Sequence, residues 1–150
     1  MTDPGPIVEF LDKTGDGPHD YEAWCSEFVC WAYKASGYPL ETSSGGWMIG
    51  GSSSLRAWFE ARDRWVSHTS ADWNTFVPAT GDYIRYDYNN GAGGHSAIVR
   101  DVSADEDTLY TVEGNCGNKV RTYAKTQWRD FSVREIDGFG RMSGFVATVW

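Results

Sequence analysis

Asp20-Tyr21-Glu22-Ala23-Trp24-Cys25-Ser26-Glu27-Phe28-Val29 is the run whose reading decides the fold of this chain. Tyr21, Trp24, Cys25, Phe28, Val29 and Ala32 recur at the spacing of one helix face, and Gly37 with Pro39 ends the pattern. Asp20 is placed to cap this helix, with a start nearer Trp24 as the alternative. A cysteine therefore lies in the opening turns of an amphipathic helix.

Outward from this helix the pattern changes in both directions. Residues 1–19 are rich in Gly, Pro and Asp around Ile7-Val8-Glu9-Phe10-Leu11, which reads as a short helix or turn followed by a loop. Downstream, Gly45, Gly46, Gly50 and Gly51 mark a loop, read as the flexible rim of a cleft. It has no Lys in a P-loop position and follows no strand. Ser52-Ser53-Ser54 would cap a second helix running from Leu55 to about Arg62, with Leu55, Trp58 and Phe59 on its inner face. After Pro78 and Gly81 the spacing shortens to that of strands, predicted at 82–88, 96–102, 109–112, 120–123, 134–141 and 145–149. Helices first and a meander of strands second predict an α+β fold, with the helices packed on an antiparallel sheet of about five or six strands.

The chain has 150 residues, the size of one domain spanning 1–150 with its core over about 20–150. Seventeen glycines against five prolines indicate tight turns and not a disordered chain. No apolar stretch has the length a membrane helix needs. Met1-Thr2-Asp3-Pro4-Gly5-Pro6 has neither a basic nor an apolar leader region, so no secretory signal is expected in it. The net charge of -8 argues against nucleic acid, whose phosphates need a basic surface, and offers no attraction to an anionic membrane or wall polymer. Solubility is its plain role.

Three cysteines occur, Cys25, Cys30 and Cys116, so at least one thiol is free. A Cys30–Cys116 bridge is compatible with the count, but nothing in the sequence supports it. There is no CxxC pair, and the Cys25–Cys30 spacing does not suit a zinc knuckle, so neither a metal nor a cofactor is expected.

Two later segments complete a chemical set. Gly93-Gly94-His95-Ser96-Ala97-Ile98-Val99 is a strand that opens with a histidine, and Thr111-Val112-Glu113-Gly114-Asn115 is a strand that ends in a carboxylate and an amide. A free thiol is mostly protonated near neutral pH, and a helix N-terminus or an imidazolium lowers its pKa. The helix start also offers backbone N–H groups to a developing oxyanion. His95 then needs a partner on its far nitrogen, for which Glu113 leads. Asn115 would share a strand face with Glu113, and can polarise the site or replace Glu113 as the orienting group. Taken alone, Cys25 reads as core, His95 as a turn residue and Glu113 as an ordinary strand end. Their order on the expected elements is what points to a cysteine hydrolase.

Trp24-Cys25-Ser26-Glu27-Phe28-Val29, Gly81-Asp82-Tyr83-Ile84, Gly94-His95-Ser96-Ala97-Ile98-Val99 and Val112-Glu113-Gly114-Asn115 together resemble the CHAP domain. This family of cysteine, histidine-dependent amidohydrolases and peptidases belongs to the papain-like NlpC/P60 group. The resemblance runs from about Tyr21 to about Asn115, and Ile136-Asp137-Gly138-Phe139-Gly140-Arg141 is similar to the strand that closes such domains. It implies a papain-like fold, Cys25 as nucleophile, His95 as general base and acid, Glu113 as orienting residue and Asn115 as a further polar site residue. Asp82 would support the fold. The implied substrate is bacterial peptidoglycan, cut either between muramic acid and the stem peptide or within the stem or cross-bridge.

Trp24, Ser26 and Gly94 are the expected substrate-side residues, with Trp24 as a wall of the site. The glycine-rich run 89–94 would flank the substrate. His19 and His68 read as surface histidines. Of Trp47, Trp58, Trp65, Trp73 and Trp128, most are expected in the core and one or two at the cleft. Cys116 would be a second buried thiol, with a redox partner of Cys25 as the alternative. A monomer acting at the cell wall is expected, as a phage lysin, a division hydrolase or an antibacterial effector. A separate targeting module or an immunity protein would serve as partner. The alternatives are a non-catalytic wall-binding or interaction module on the same scaffold, and a cysteine amidase of another substrate.

Overall fold

A computed structural model describes residues 24–88 and 93–144 of the chain. The elements are α1 (Cys25–Ala35), α2 (Ser52–Glu60), β1 (Trp65–Ser67), β2 (Tyr83–Tyr88), β3 (Gly93–Val102), β4 (Thr108–Glu113), β5 (Arg121–Thr126), α3 (Phe131–Arg134) and β6 (Ile136–Gly140). The strands form one six-stranded sheet in the order β1-β6-β2-β3-β4-β5, every neighbour antiparallel. The architecture is α+β, as the order of helical and strand patterns predicts. The expectations for residues 1–19, for His19, Asp20 and Tyr21, for the start of the glycine-rich run at 89–92 and for a strand at 145–149 lie outside the described residues.

Alternation along the strands divides the core in two. On one face Tyr83 and Ile98 pack with Phe28, Val29, Cys30 and Tyr33 of α1 and Leu55, Trp58 and Phe59 of α2. On the other, Ile84, Tyr86, Ala97, Val99, Leu109, Ile136 and Phe139 pack with Trp73 and Trp128. Antiparallel sheets often leave one face to solvent. Here indole rings from two connecting segments cover the face that the helices do not. Trp73 and Trp128 meet edge to face at 5.6 Å, and each ring N–H donates to a backbone carbonyl, of Arg129 and Glu106 respectively. Among the described residues no helix is long and apolar enough to cross a membrane.

The structure corrects several local expectations. α2 begins at Ser52, so the three serines lie inside the helix and Gly51 is its cap residue. Two of their hydroxyls bind an arginine instead. Ser52 Oγ accepts from Arg85 Nε at 3.3 Å and Ser53 Oγ from Arg85 Nη2 at 3.1 Å. β1 has no counterpart among the predicted strands, because three residues carry too little alternation to read. The predicted strand over 134–141 starts later. Asp130 instead caps the single turn of α3 by accepting from the Ser132 N–H at 2.9 Å, and Glu135 leaves that turn at φ 55°. The strand expected at 120–123 runs over Arg121–Thr126.

Two buried carboxylates tie the elements together. Arg85 is opposite Gly138 and Tyr86 is opposite Ile136, so Asp137 is the extra residue of a bulge. Its carboxylate takes Arg85 Nη1 at 2.6 Å and Arg56 Nη1 at 2.9 Å, joining α2, β2 and β6. Asp82 accepts the N–H groups of Ala79 at 2.9 Å and Met142 at 2.8 Å, the supporting role expected of it. His68 is no free surface residue: its ring stacks on Phe131 at 4.2 Å and its Nδ1 lies 2.9 Å from the Asp137 carbonyl oxygen.

Candidate active site

Cys25 is the first residue of α1, whose start carries no side-chain cap. Its N–H groups at that end have no side chain competing for them. His95 stands on β3 opposite Tyr86. On β4, Val112 is opposite Ile98, which sets Glu113 opposite Ala97 and makes His95 its diagonal neighbour on the same face. The His95 ring meets the Glu113 carboxylate at 2.9 Å from Nε2 to Oε1. Nδ1 is then the nitrogen left for the Cys25 thiol, which lies close enough for each group to shift the other's ionisation.

A thiol on a helix and a carboxylate at a strand end come together only if the backbones approach closely. A Cβ on Gly114 would fall 2.6 Å from Phe28 Cβ and 2.9 Å from Trp24 Cζ3. The absence of a side chain at Gly114 thus lets β4 end against α1. Gly94 does the same for α2, since any Cβ there would collide with the Ser52 hydroxyl.

The electrostatics follow from this packing. Burial opposes charge on the Cys25 thiol, but the hydrogen bond and charge of His95, the Ser96 backbone and the Ser26 hydroxyl outweigh it and hold the thiol below its ordinary value. Burial likewise disfavours charge on His95, yet its hydrogen bonds and charge interactions with Cys25 and Glu113 raise it to about 10. Burial would raise Glu113, and the His95 hydrogen bond, the Lys125 charge and the Thr111 hydroxyl instead bring it down to about 2. The two shifts run in opposite directions, each favouring the charged form, as a thiolate–imidazolium pair requires. Cys30, five positions along the same helix, shows the contrast. Its sulfur exchanges weak contacts with the Ile49 backbone, and burial pushes its thiol up to about 12.

Three residues at the site were not singled out from sequence. Glu113 Oε2 accepts from Tyr86 Oη at 2.9 Å and from Thr111 Oγ1 at 2.5 Å, and lies 2.9 Å from Lys125 Nζ. Lys125 also donates to Tyr86 Oη at 2.7 Å. Thr111 was legible, being two residues before Glu113 on one strand. Lys125 was not, because only the pairing of β4 with β5 brings it across.

The remaining sequence-expected residues divide. Trp24 is half-buried beside Cys25, and its Nε1–H donates to Asn118 Oδ1 at 3.0 Å, fastening the loop after β4 to the start of α1. Gly94 is exposed next to His95. Ser26 is 2% exposed, and its hydroxyl joins Ser96 Oγ at 2.9 Å, which joins Tyr83 Oη at 2.9 Å. That line of hydroxyls is buried, and the Ser26 hydroxyl acts on the Cys25 thiol from within the core. Asn115 lies past the end of β4 at φ 57°, so strand alternation does not govern its direction. The three thiols are free, which removes the Cys30–Cys116 bridge. Cys116 is half-buried, with its sulfur 3.8 Å from His95 Nε2 and 3.9 Å from Glu113 Oε1. Among the described residues, His95, Glu113 and Cys116 are one group whose side chains can surround a metal ion. Trp58, Trp73 and Trp128 are core residues, while Trp47 and Trp65 are half-buried.

The structure is an α+β domain with a cysteine at a helix start near a histidine and a carboxylate on adjacent strands. The CHAP domain family matches residues 16–115, and the chain belongs to that family. Its members are in general cysteine- and histidine-dependent amidohydrolases or peptidases associated with peptidoglycan. No curated protein and no solved structure matches the chain.

Proposed function

We propose that this protein hydrolyses an amide bond of bacterial peptidoglycan through an acyl-enzyme on Cys25, acting at the cell wall. The observation that carries the reading is the continuous line from the Cys25 thiol through the His95 ring to the Glu113 carboxylate. In this mechanism the thiolate attacks the carbonyl carbon and the N-terminal amides of α1 receive the oxyanion. The His95 imidazolium gives its Nδ1 proton to the departing amine. The neutral ring then takes a proton from water as the hydroxide attacks the acyl-enzyme, and collapse of that intermediate expels Cys25 as the thiolate, restoring the thiolate–imidazolium pair. Glu113 keeps the ring oriented and its charge favourable. Trp24 forms a wall for the substrate, and the exposed Gly94 backbone flanks it beside His95.

Digestion of purified peptidoglycan, followed by mass spectrometry of the fragments, tests this. A free muramyl sugar end identifies an amidase. A new peptide amine with the sugar linkage intact identifies an endopeptidase. Cys25→Ala is expected to abolish both products with an unchanged circular dichroism spectrum. Full digestion by that variant would overturn the assignment.

A further inference from the structure

We propose that His95 Nε2, Glu113 Oε1 and Cys116 Sγ form a three-ligand site for Zn2+ whose occupancy switches the catalytic histidine off. The site lies on the edge of the imidazole opposite Cys25. The inhibitory part rests on the hydrolase reading, whereas the binding part does not.

The geometry carries it. Ligand bonds of about 2.0–2.3 Å in a tetrahedron put donor atoms roughly 3.3–3.6 Å apart. The three separations here are 2.9, 3.8 and 3.9 Å, so a metal enters with ligand movements of about half an ångström or less. The backbone of Cys116 is pinned on both sides. Its N–H donates to the Lys119 carbonyl at 2.9 Å, and its own carbonyl accepts from Arg121 Nε at 2.9 Å. Glu113 is held by Tyr86 and Thr111. Such outer partners fix the directions of metal ligands. Cys116 and His95 are half-buried, and solvent supplies the fourth ligand.

The donor set selects the metal. One thiolate, one imidazole and one carboxylate suit zinc, whereas calcium and magnesium require oxygen. Lys125 occupies the other carboxylate oxygen, so Glu113 would bridge an ammonium and the metal through different atoms. That positive charge opposes the metal and sets the affinity below that of a dedicated structural site. The result is a reversible inhibitory site.

Its effect follows from the two ring nitrogens. A metal on Nε2 locks the ring's remaining proton on Nδ1, facing Cys25. Giving that proton to a leaving amine would create an imidazolate, and with the proton in place the ring cannot accept one from water. Both halves of acyl transfer stop.

Cobalt substitution tests the site on the whole chain, carrying no affinity tag. One equivalent of Co2+ should produce a thiolate-to-metal charge-transfer band in the wild type and in Cys25→Ser, and none in Cys116→Ser. A band lost in Cys25→Ser and kept in Cys116→Ser would overturn the proposal, as would no band in the wild type. X-ray absorption on the zinc-loaded wild type needs no variant. One sulfur ligand at about 2.3 Å is expected, and two sulfurs or none would sink the idea. Zinc should suppress wall digestion and a chelator restore it. Cys116→Ser should need more than about tenfold more zinc for the same suppression. Equal sensitivity of the two proteins would count against the site. Absence of wall digestion alongside the expected cobalt spectra would refute the proposed function and leave the metal site standing.

Discussion

Glu113 decides how His95 behaves. It is 2% exposed and is held by His95, Tyr86, Thr111 and Lys125. Glu113→Gln keeps the shape but removes a charge that raises His95. The imidazolium is present below its folded value and lost above it, so its alkaline limit, near pH 10 in the wild type, should move to lower pH. The rate of wall digestion is expected to fall by about ten- to a hundredfold, as for the loss of an orienting carboxylate behind a histidine. A pH–rate profile reads both effects, and an unmoved alkaline limb would contradict the role. At this scale the meeting of Cys25, His95 and Glu113 was legible in the sequence, because each chemical type stood on the kind of element a cysteine hydrolase would use. The sequence was not legible for Lys125. A lysine in a strand reads as solvated, and its contact with Glu113 exists only once β5 lies beside β4.

At the scale of elements, close approach is the governing variable. Gly114→Ala puts a methyl group into Phe28 and Trp24, forcing β4 away from α1. Overpacking of this kind costs about 1–3 kcal/mol, and a thermal melt should show the loss. Activity is expected to fall further than stability, since the same displacement parts His95 and Glu113 from Cys25. The bulge at Asp137 offers a second test. Arg85 is 8% exposed and depends on that carboxylate, so Asp137→Asn leaves a buried guanidinium without its counter-charge. The expected cost is about 3 kcal/mol in a urea titration, and a change within error would show the network to be dispensable. Ser52 to Ser54 show why element ends were misread. A serine run ahead of an apolar stripe is a sound capping signal, but Arg85 recruits two of the hydroxyls from across the sheet.

For the whole molecule, the buried charges make stability depend on pH. Glu113 is held at about 2, below its ordinary value of 4.5. Its contribution is therefore complete above pH 4.5 and is lost as the pH falls toward 2. Lys125→Met removes one cause of that depression. The variant should be less stable at neutral pH and should lose less than the wild type across the same acid window. Urea midpoints across that window measure the difference, and parallel curves would show that Lys125 does not hold Glu113 down. The net charge of -8 has no bearing on this site, where one ammonium and one carboxylate sit beside Cys25 and His95. Charge in bulk governs solubility and partners, and burial governs chemistry.

By itself the sequence determined the α+β order, the helix that carries Cys25, the strands that carry His95 and Glu113, and membership in a family with that chemistry. These are local properties: periodicity, turn residues and short motifs act within a few positions. Tertiary structure alone decided that Ser26 is buried against Ser96, that Lys125 pairs with Glu113, and that Cys116 joins His95 and Glu113 in one group. Each of these depends on strand register and on two glycines without side chains, and residues far apart in the chain become neighbours only when backbones meet.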